Sequence, residues 1–526
     1  MLTTGRGQAQ GFSGAVASPH HLTSLAAMAV LTRGGNAVDA AIAANAVQGT
    51  VAPETCGVGG DLFALVWMPD DTEPFALNAS GWTGSKASAE GLRTSGHTEI
   101  PHDHPASVSI PGAVAGWFAL ADRFGSMSVA TLLDDAIDHA SGGFPASDEF
   151  TRAVTAKREA LSASQAGREL LGGKTEVRVG DKVVRRALAG TLERIAADGR
   201  IGFYEGPVAR DIAAATGGLV SIEDLTGYEP EWVQPIAKEV LGSVGWTIGP
   251  NTQGYLTLAT MRILEMVNDG FDPDDATSHH HLIEAYRSVA QERDDTVTDA
   301  RFAPMSGVEL LADDRLAAIA AGIGDRARRY PPPSPKPGGT AYLCVVDRTG
   351  MAVSLIQSNF HGLGSLIGAG ESGFLLHNRG AGATLTAGHP NELAPGKRPL
   401  HTLSPTMWSS DGELRMVLGT RGGHQQPQLL AQVAAHLSAG DEPWVAQSRP
   451  RWTTETMAPG TDSTLSLESA FDAAIVSELR SRGHEIELFE GETGGWGPIS
   501  MIQLDDSGLR TAAADPRVDT SSALAS

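Results

Sequence analysis

Unbroken apolar runs mark the sheet core of this chain. Residues 62–67 (LFALVW) and 342–346 (YLCVV) each read as a short buried strand. Residues 352–357, reached through a turn at 347–350, complete a hairpin that begins at Thr340. A short strand is expected at 15–17, and small residues at helical spacing follow it. They predict a helix over 22–31, stopped by Gly34 and Gly35, and a second one begun by Asn36 as its N-cap. Their alanine-rich faces predict close packing of helices on a sheet. Further helices are expected over 131–140, 151–161, 190–198, 207–215, 256–267, 310–321, 427–437 and 471–482, and one from near His279. Further strands are expected over 74–77, 240–248, 406–408, 414–418, 499–504 and 509–513, with 85–105 as loop. No internal repeat is present, and the only linker-like stretch is the proline run at 331–337. It sits inside an alternating pattern of helices and strands, so it reads as a processing loop within one domain.

Composition narrows the class. The 526 residues are 41% hydrophobic and 19% charged, which fits an ordered chain with a large core. The formal charge of −23 argues against a nucleic-acid or anionic-membrane partner, since both need a basic face. Two cysteines, Cys56 and Cys344, exclude a disulfide framework and a cysteine-cluster zinc site. No apolar signal segment opens the sequence and no run is long enough to span a membrane, so a cytoplasmic location is expected.

Two motifs invite cofactor readings and fail on geometry. The loop at 55–61 contains GVGGD, but a strand follows it where a dinucleotide fingerprint needs a helix. It reads as a tight backbone turn, either lining a site or purely structural. His279, His280 and His281 point about 100° apart in a helix and cannot share one ion. A solvated helix start capped by Ser278 is the expected arrangement. No metal and no cofactor are expected.

The chemistry gathers at Thr340. Five prolines between 331 and 337 favour an extended, solvated segment, and Gly338 and Gly339 then free the backbone. Thr340 follows at the entrance to a buried strand. A threonine hydroxyl is a weak nucleophile, but a chain-terminal threonine carries its own base, an α-amine with a pKa of roughly 7.7–8.0. That amine exists only if the Gly339–Thr340 bond is broken. Cleavage there would leave a large part, 1–339, and a small part, 340–526, of one structural domain. Gly422 and Gly423 lie between a strand and a helix, so their N–H groups can form an oxyanion hole, although a plain turn has the same pattern.

The residues from Gly338 to Ser365, GGTAYLCVVDRTGMAVSLIQSNFHGLGS, resemble the start of the small subunit in the gamma-glutamyltransferase family of N-terminal nucleophile hydrolases. RGGNAVDAAIAANAV, CGVGGDLFAL, SIPGAVAGW, GESGFLL, PGKRPLHTLSPT, GTRGGHQQPQ and ADPRVD follow that family's order along nearly the whole chain. The resemblance implies an α+β, four-layer αββα sandwich made as one precursor and self-cleaved into two subunits. A homodimer of such heterodimers is compatible with it. It makes Thr340 the nucleophile, Gly422 and Gly423 the oxyanion hole, and Ser358 a hydroxyl near the nucleophile's amine. The substrate-binding positions it implies are Asn359, His401, Thr402, Trp82 and Arg379. His401 and Thr402 stand where the family usually has two serines. The family's arginine for the glutamate α-carboxylate would fall near Trp82, and its acidic residue for the α-amine near Gly382. Neither charge is present, and the segment 385–397 is short for the family's lid loop.

The expected activity is therefore self-processing hydrolysis of a gamma-glutamyl or related small acyl amide through an acyl-enzyme, without nucleic acid or membrane. Acyl transfer to an amine or peptide is the alternative outcome. A processing-dead binding or scaffold protein is the alternative from another class.

Overall fold

A computed structural model of the chain describes residues 7–330, 338–454, 464–490 and 496–526. The proline run at 331–337 lies outside them. Two seven-stranded sheets dominate, and every neighbouring pair within them is antiparallel. In one sheet the order is Ser522–Ala525, Ala15–Ser18, Gly339–Val346, Ala352–Phe360, Asp61–Trp67, Phe75–Ala79 and Glu231–Val233. The other runs Gln8–Gly11, Arg510–Ala514, Ile499–Leu504, Glu413–Thr420, Thr406–Ser410, Ser243–Thr247 and Ile236–Val240. Both sheets draw strands from either side of the Gly339–Thr340 bond.

Three buried clusters define four layers. Leu62, Ala64, Val66, Leu343 and Val345 pack on the helices His21–Thr32, Ala37–Val51 and Ala113–Phe124. The alternate residues, Phe63, Leu65, Tyr342 and Cys344, face the second sheet and meet Met407, Val417 and Ile502. The outer face of that sheet, with Trp408, Met416 and Leu418, is covered by Tyr255–Val267, Ala276–Ala290 and Gln426–Ser438. A strand covered on both faces has no polar alternation, which is why LFALVW and YLCVV are continuous apolar runs. The result is the expected αββα sandwich.

Local sequence chemistry accounts for several boundaries. Asn36 caps its helix, accepting from Val38 N and Asp39 N, while Asp39 accepts from Asn36 N. Both cysteines are free and buried. Several expectations need correction. The strand expected over 240–248 is shorter, Ser243–Thr247, because Leu241 and Gly242, at φ 47° and 76°, turn the chain into a hairpin with Ile236–Val240. The cap of Ala276–Ala290 is Asp275, not Ser278: its carboxylate accepts from two backbone amides where the Ser278 hydroxyl serves Asp272 N. His279 and His280 are buried rather than solvated. His280 Nδ1 lies 2.8 Å from His484 Nε2. The helices expected over 131–140, 151–161 and 310–321 are each broken in two, and 85–105 contains the helix Ala89–Thr94. Among the described residues no helix is long and apolar enough to cross a membrane, and no cluster of His, Cys, Asp and Glu is arranged to hold a metal ion.

The C-terminal motif ADPRVD proves to be a buried ionic junction. Asp515 takes Arg451 Nη2 at 2.6 Å and Ile499 N at 2.9 Å, and Arg517 pairs with Glu468 at 2.5 Å. Burial alone would raise the Asp515 carboxyl, but the Arg451 and Arg517 charges and two backbone N–H groups hold it below the ordinary range. Its folded-state pKa is depressed, so its contribution is complete above the unfolded value near ~3.9 and is lost as pH falls through the folded one. Asp515→Asn leaves Arg451 without its carboxylate and Arg517 with Glu468 alone, and is expected to destabilise by about 3–5 kcal/mol, read as a lower Tm at pH 7. The difference from wild type should shrink on acidification.

Candidate active site

Thr340, Ser358 and Asp61 stand side by side on three adjacent strands. Thr340 pairs with Ser358 and Ser358 with Asp61, so the three side chains share the face turned toward the second sheet. All three are buried. Thr340 Oγ1 lies 3.0 Å from Ser358 Oγ, which donates to the Gly339 carbonyl at 2.6 Å and accepts from Phe360 N at 2.8 Å. With its proton on Gly339 O, Ser358 is left to accept from Thr340. One hydroxyl therefore bridges the Gly339 carbonyl and the Thr340 hydroxyl.

The register slips by one residue between Gly339 and Thr340, leaving Asn359 as the extra residue of a bulge. Next to it Phe360 holds a left-handed backbone, φ 73°, which costs a side-chain-bearing residue roughly 1–2 kcal/mol. The hydrogen bond to Ser358 and a buried ring, packed edge-on against His361 at 4.1 Å, keep it there.

The second sheet supplies the opposite wall. Gly422 and Gly423, at φ 129° and 59°, make a turn that side-chain-bearing residues rarely adopt. The turn leads into Gln426–Ser438. It lies against the chain entering Thr340: a Cβ on Gly338 would stand 2.8 Å from Gly423 N. The spacing of the two sheets is set close by, where the Tyr342 ring rests on Gly419 with room for hydrogen alone. Gln253 ties the turn down, donating to Gly423 O at 2.8 Å and Thr402 O at 2.9 Å.

His401 and Asp61 form the third side. His401 Nε2 lies 3.1 Å from Asp61 Oδ2, His377 Nδ1 lies 3.3 Å from the same oxygen, and Gly81 N donates to Oδ1 at 3.0 Å. Burial alone would raise the Asp61 carboxyl, yet its contacts with His377 and His401 hold it well below the carboxylate range. Burial, and then the Arg379 charge, push the His401 imidazole down to about 3 against the pull of Asp61. His401 is therefore neutral near pH 7. It donates from Nε2 and keeps a lone pair on Nδ1, which has no hydrogen-bond partner. The Thr402 hydroxyl is also buried without a partner.

The remaining expected residues divide. Arg379 is buried with its guanidinium 3.9 Å from the Phe360 ring centroid, at the end of the strand Ala352–Phe360. Trp82 is engaged in packing, under the Arg398 guanidinium at 4.8 Å and edge-on to Tyr228 at 5.5 Å. Asn359 Nδ2 donates to Pro53 O at 3.1 Å, while its Oδ1 is buried without a hydrogen-bond partner. Position 382 has no room for an acidic side chain: a Cβ there would stand 2.6 Å from Leu400 O. Asp61, His377, Gln253 and Phe360 were not singled out from sequence. Asp61 had a signal, as the one charge at the head of an otherwise apolar strand.

A strand-borne threonine behind a Gly–Thr bond, faced by a glycine turn across an αββα sandwich, defines the N-terminal nucleophile hydrolase class. The Gamma-glutamyltranspeptidase family model matches residues 23–525, and the chain belongs to that family of enzymes. It is 35% identical over 517 residues to the oxamate amidohydrolase proenzyme of Klebsiella pneumoniae, covering 96% of this chain and 97% of that protein. It is 34% identical over 516 residues to the glutathione hydrolase-like YwrD proenzyme of Bacillus subtilis, with the same coverage of both. Among solved structures, cephalosporin acylase from Bacillus halodurans superposes with a TM-score of 0.92 at 30% identity, covering 100% of this chain and 98% of that one.

Proposed function

We propose that this protein is a self-processing amidohydrolase that cuts its own Gly339–Thr340 bond and then uses the freed Thr340 to hydrolyse a small acyl amide. The observation that carries this reading is the Ser358 hydroxyl set between Gly339 O, at 2.6 Å, and Thr340 Oγ1, at 3.0 Å. In the first step Thr340 Oγ1 attacks the Gly339 carbonyl carbon. Its proton passes to Ser358 as the Ser358 proton passes to Gly339 O. Collapse breaks the C–N bond as the Gly339 hydroxyl gives up its proton and the Thr340 nitrogen takes one up, and an ester joins Gly339 to Thr340 Oγ1. Water hydrolyses that ester to a Gly339 carboxylate and a free N-terminal threonine.

The same atoms then serve an external amide. The α-amine takes the Oγ1 proton as the oxygen attacks, and the Gly422 and Gly423 N–H groups face the oxyanion. The amine returns the proton to the leaving nitrogen, and water releases the acyl group as its acid. The names of the two relatives, both hydrolase proenzymes, support this reading. A gamma-glutamyl acyl group has weaker support, because Trp82 is packed under Arg398 and position 382 is sterically closed.

Intact-mass measurement on active protein tests the proposal. Two chains are expected, one beginning at Thr340. Amidase activity residing in a single uncut chain would overturn it.

A further inference from the structure

Arg379 is a charge without a partner. It is 1% exposed, and its Nε, Nη1 and Nη2 atoms have no hydrogen-bond acceptor. An isolated buried cation is costly, and buried guanidinium groups are ordinarily paired. The carboxylate that acts on it is already used: Asp61 takes Gly81 N on one oxygen, and His401 and His377 crowd the other. Asp61 acts on Arg379 through space alone, and burial pushes the guanidinium down to about 9, still charged at pH 7. One face of the guanidinium is covered by the Phe360 ring. Its edge, which carries the N–H groups, is what remains for a ligand.

The position of that ring says which ligand. Phe360 is the cross-strand partner of Gly339, the residue whose carbonyl faces Thr340 in the uncut chain. A substrate carbonyl under attack by Thr340 takes the place of the Gly339 carbonyl. Its acyl chain then starts beside Phe360, the residue whose ring lies against the Arg379 guanidinium. A planar fork of N–H donors in a water-poor site matches a carboxylate bidentately.

Resting on the amidohydrolase reading above, we infer that Arg379 is the anion-recognition residue of this site and that the substrate is a short monoamide whose acyl chain ends in a free carboxylate. The amide end meets Thr340 and the Gly422–Gly423 turn, while the acid end pairs with Arg379.

The test uses matured enzyme and four compounds: oxamate, malonamate, succinamate and the methyl ester of succinamate. Ammonia release should favour at least one of the acids over the ester by about 10²-fold in kcat/KM, the effect of a charge-assisted bidentate contact. Arg379→Met should erase that preference while leaving self-cleavage intact on a gel, and Arg379→Lys should fall between the two. Calorimetric titration with oxalate, malonate and succinate gives a readout independent of turnover. At least one should bind wild type and bind Arg379→Met at least tenfold more weakly. If Arg379→Met does not fold, the comparison of acids with ester and the dicarboxylate titration of wild type decide. An equal preference for acid and ester, or dicarboxylates that bind neither protein or both alike, would overturn the assignment. An uncut chain would instead break the reading beneath it.

Discussion

Thr340→Ala is expected to remain one chain of 54.8 kDa and to lose amidase activity by at least about 10⁴-fold. Two functions disappear together. The hydroxyl that attacks Gly339 is gone, so the peptide bond stays intact. The α-amine that would act as base is therefore never released. The loss does not depend on unfolding. Ser358 keeps its bonds to Gly339 O and Phe360 N, and the strand Gly339–Val346 keeps its neighbours on both sides. A Tm close to wild type is expected, which separates a chemical loss from a structural one. Thr340→Ser retains the hydroxyl and should be cut. A gel time course with intact-mass analysis reads all three proteins, and cleavage after Gly339 in the alanine variant would exclude Thr340 as the attacking group.

The buried strands of this fold were legible because a strand covered on both faces writes itself as an uninterrupted apolar run, whereas their stacking into four layers was implied only by the family resemblance. LFALVW and YLCVV are such runs, and the alanine-rich helices that cover them are as plain. Thr340 drew notice because stiff chain, flexible glycines and a buried strand meet there, but a threonine at the start of a strand is commonplace, and it was the ordered family motifs that made it the expected nucleophile. Backbone detail was not legible. Nothing in SNF at 358–360 announces the bulge or the left-handed backbone of Phe360. The Asp61–His377–His401 group was hidden because its members lie far apart in the chain and meet only once both sheets are stacked. Arg379 was placed at the site by the resemblance, but that its guanidinium has no hydrogen-bond partner can be read only when its neighbours are in place.

Ser358→Ala is expected to slow self-cleavage by about 10²–10³-fold, so that uncut chain accumulates after synthesis. The estimate follows from removing a donor aimed at an oxygen that gains negative charge during attack. Here that donor lies 2.6 Å from Gly339 O even before the reaction starts. The substitution also removes the acceptor that orients the Thr340 hydroxyl. A second consequence is structural. Phe360 N loses its partner while its backbone is held in the left-handed region, and an orphaned buried N–H costs about 1–3 kcal/mol. The two effects separate by measurement. The structural cost lowers Tm, whereas the chemical one appears as a longer half-time for the uncut band under conditions where the variant is fully folded. Ser358→Thr keeps the hydroxyl and should restore most of the rate. A folded Ser358→Ala that matures as fast as wild type would show that the hydroxyl bridge between Gly339 and Thr340 is not the route the proton takes, and the base would have to be sought elsewhere around Thr340.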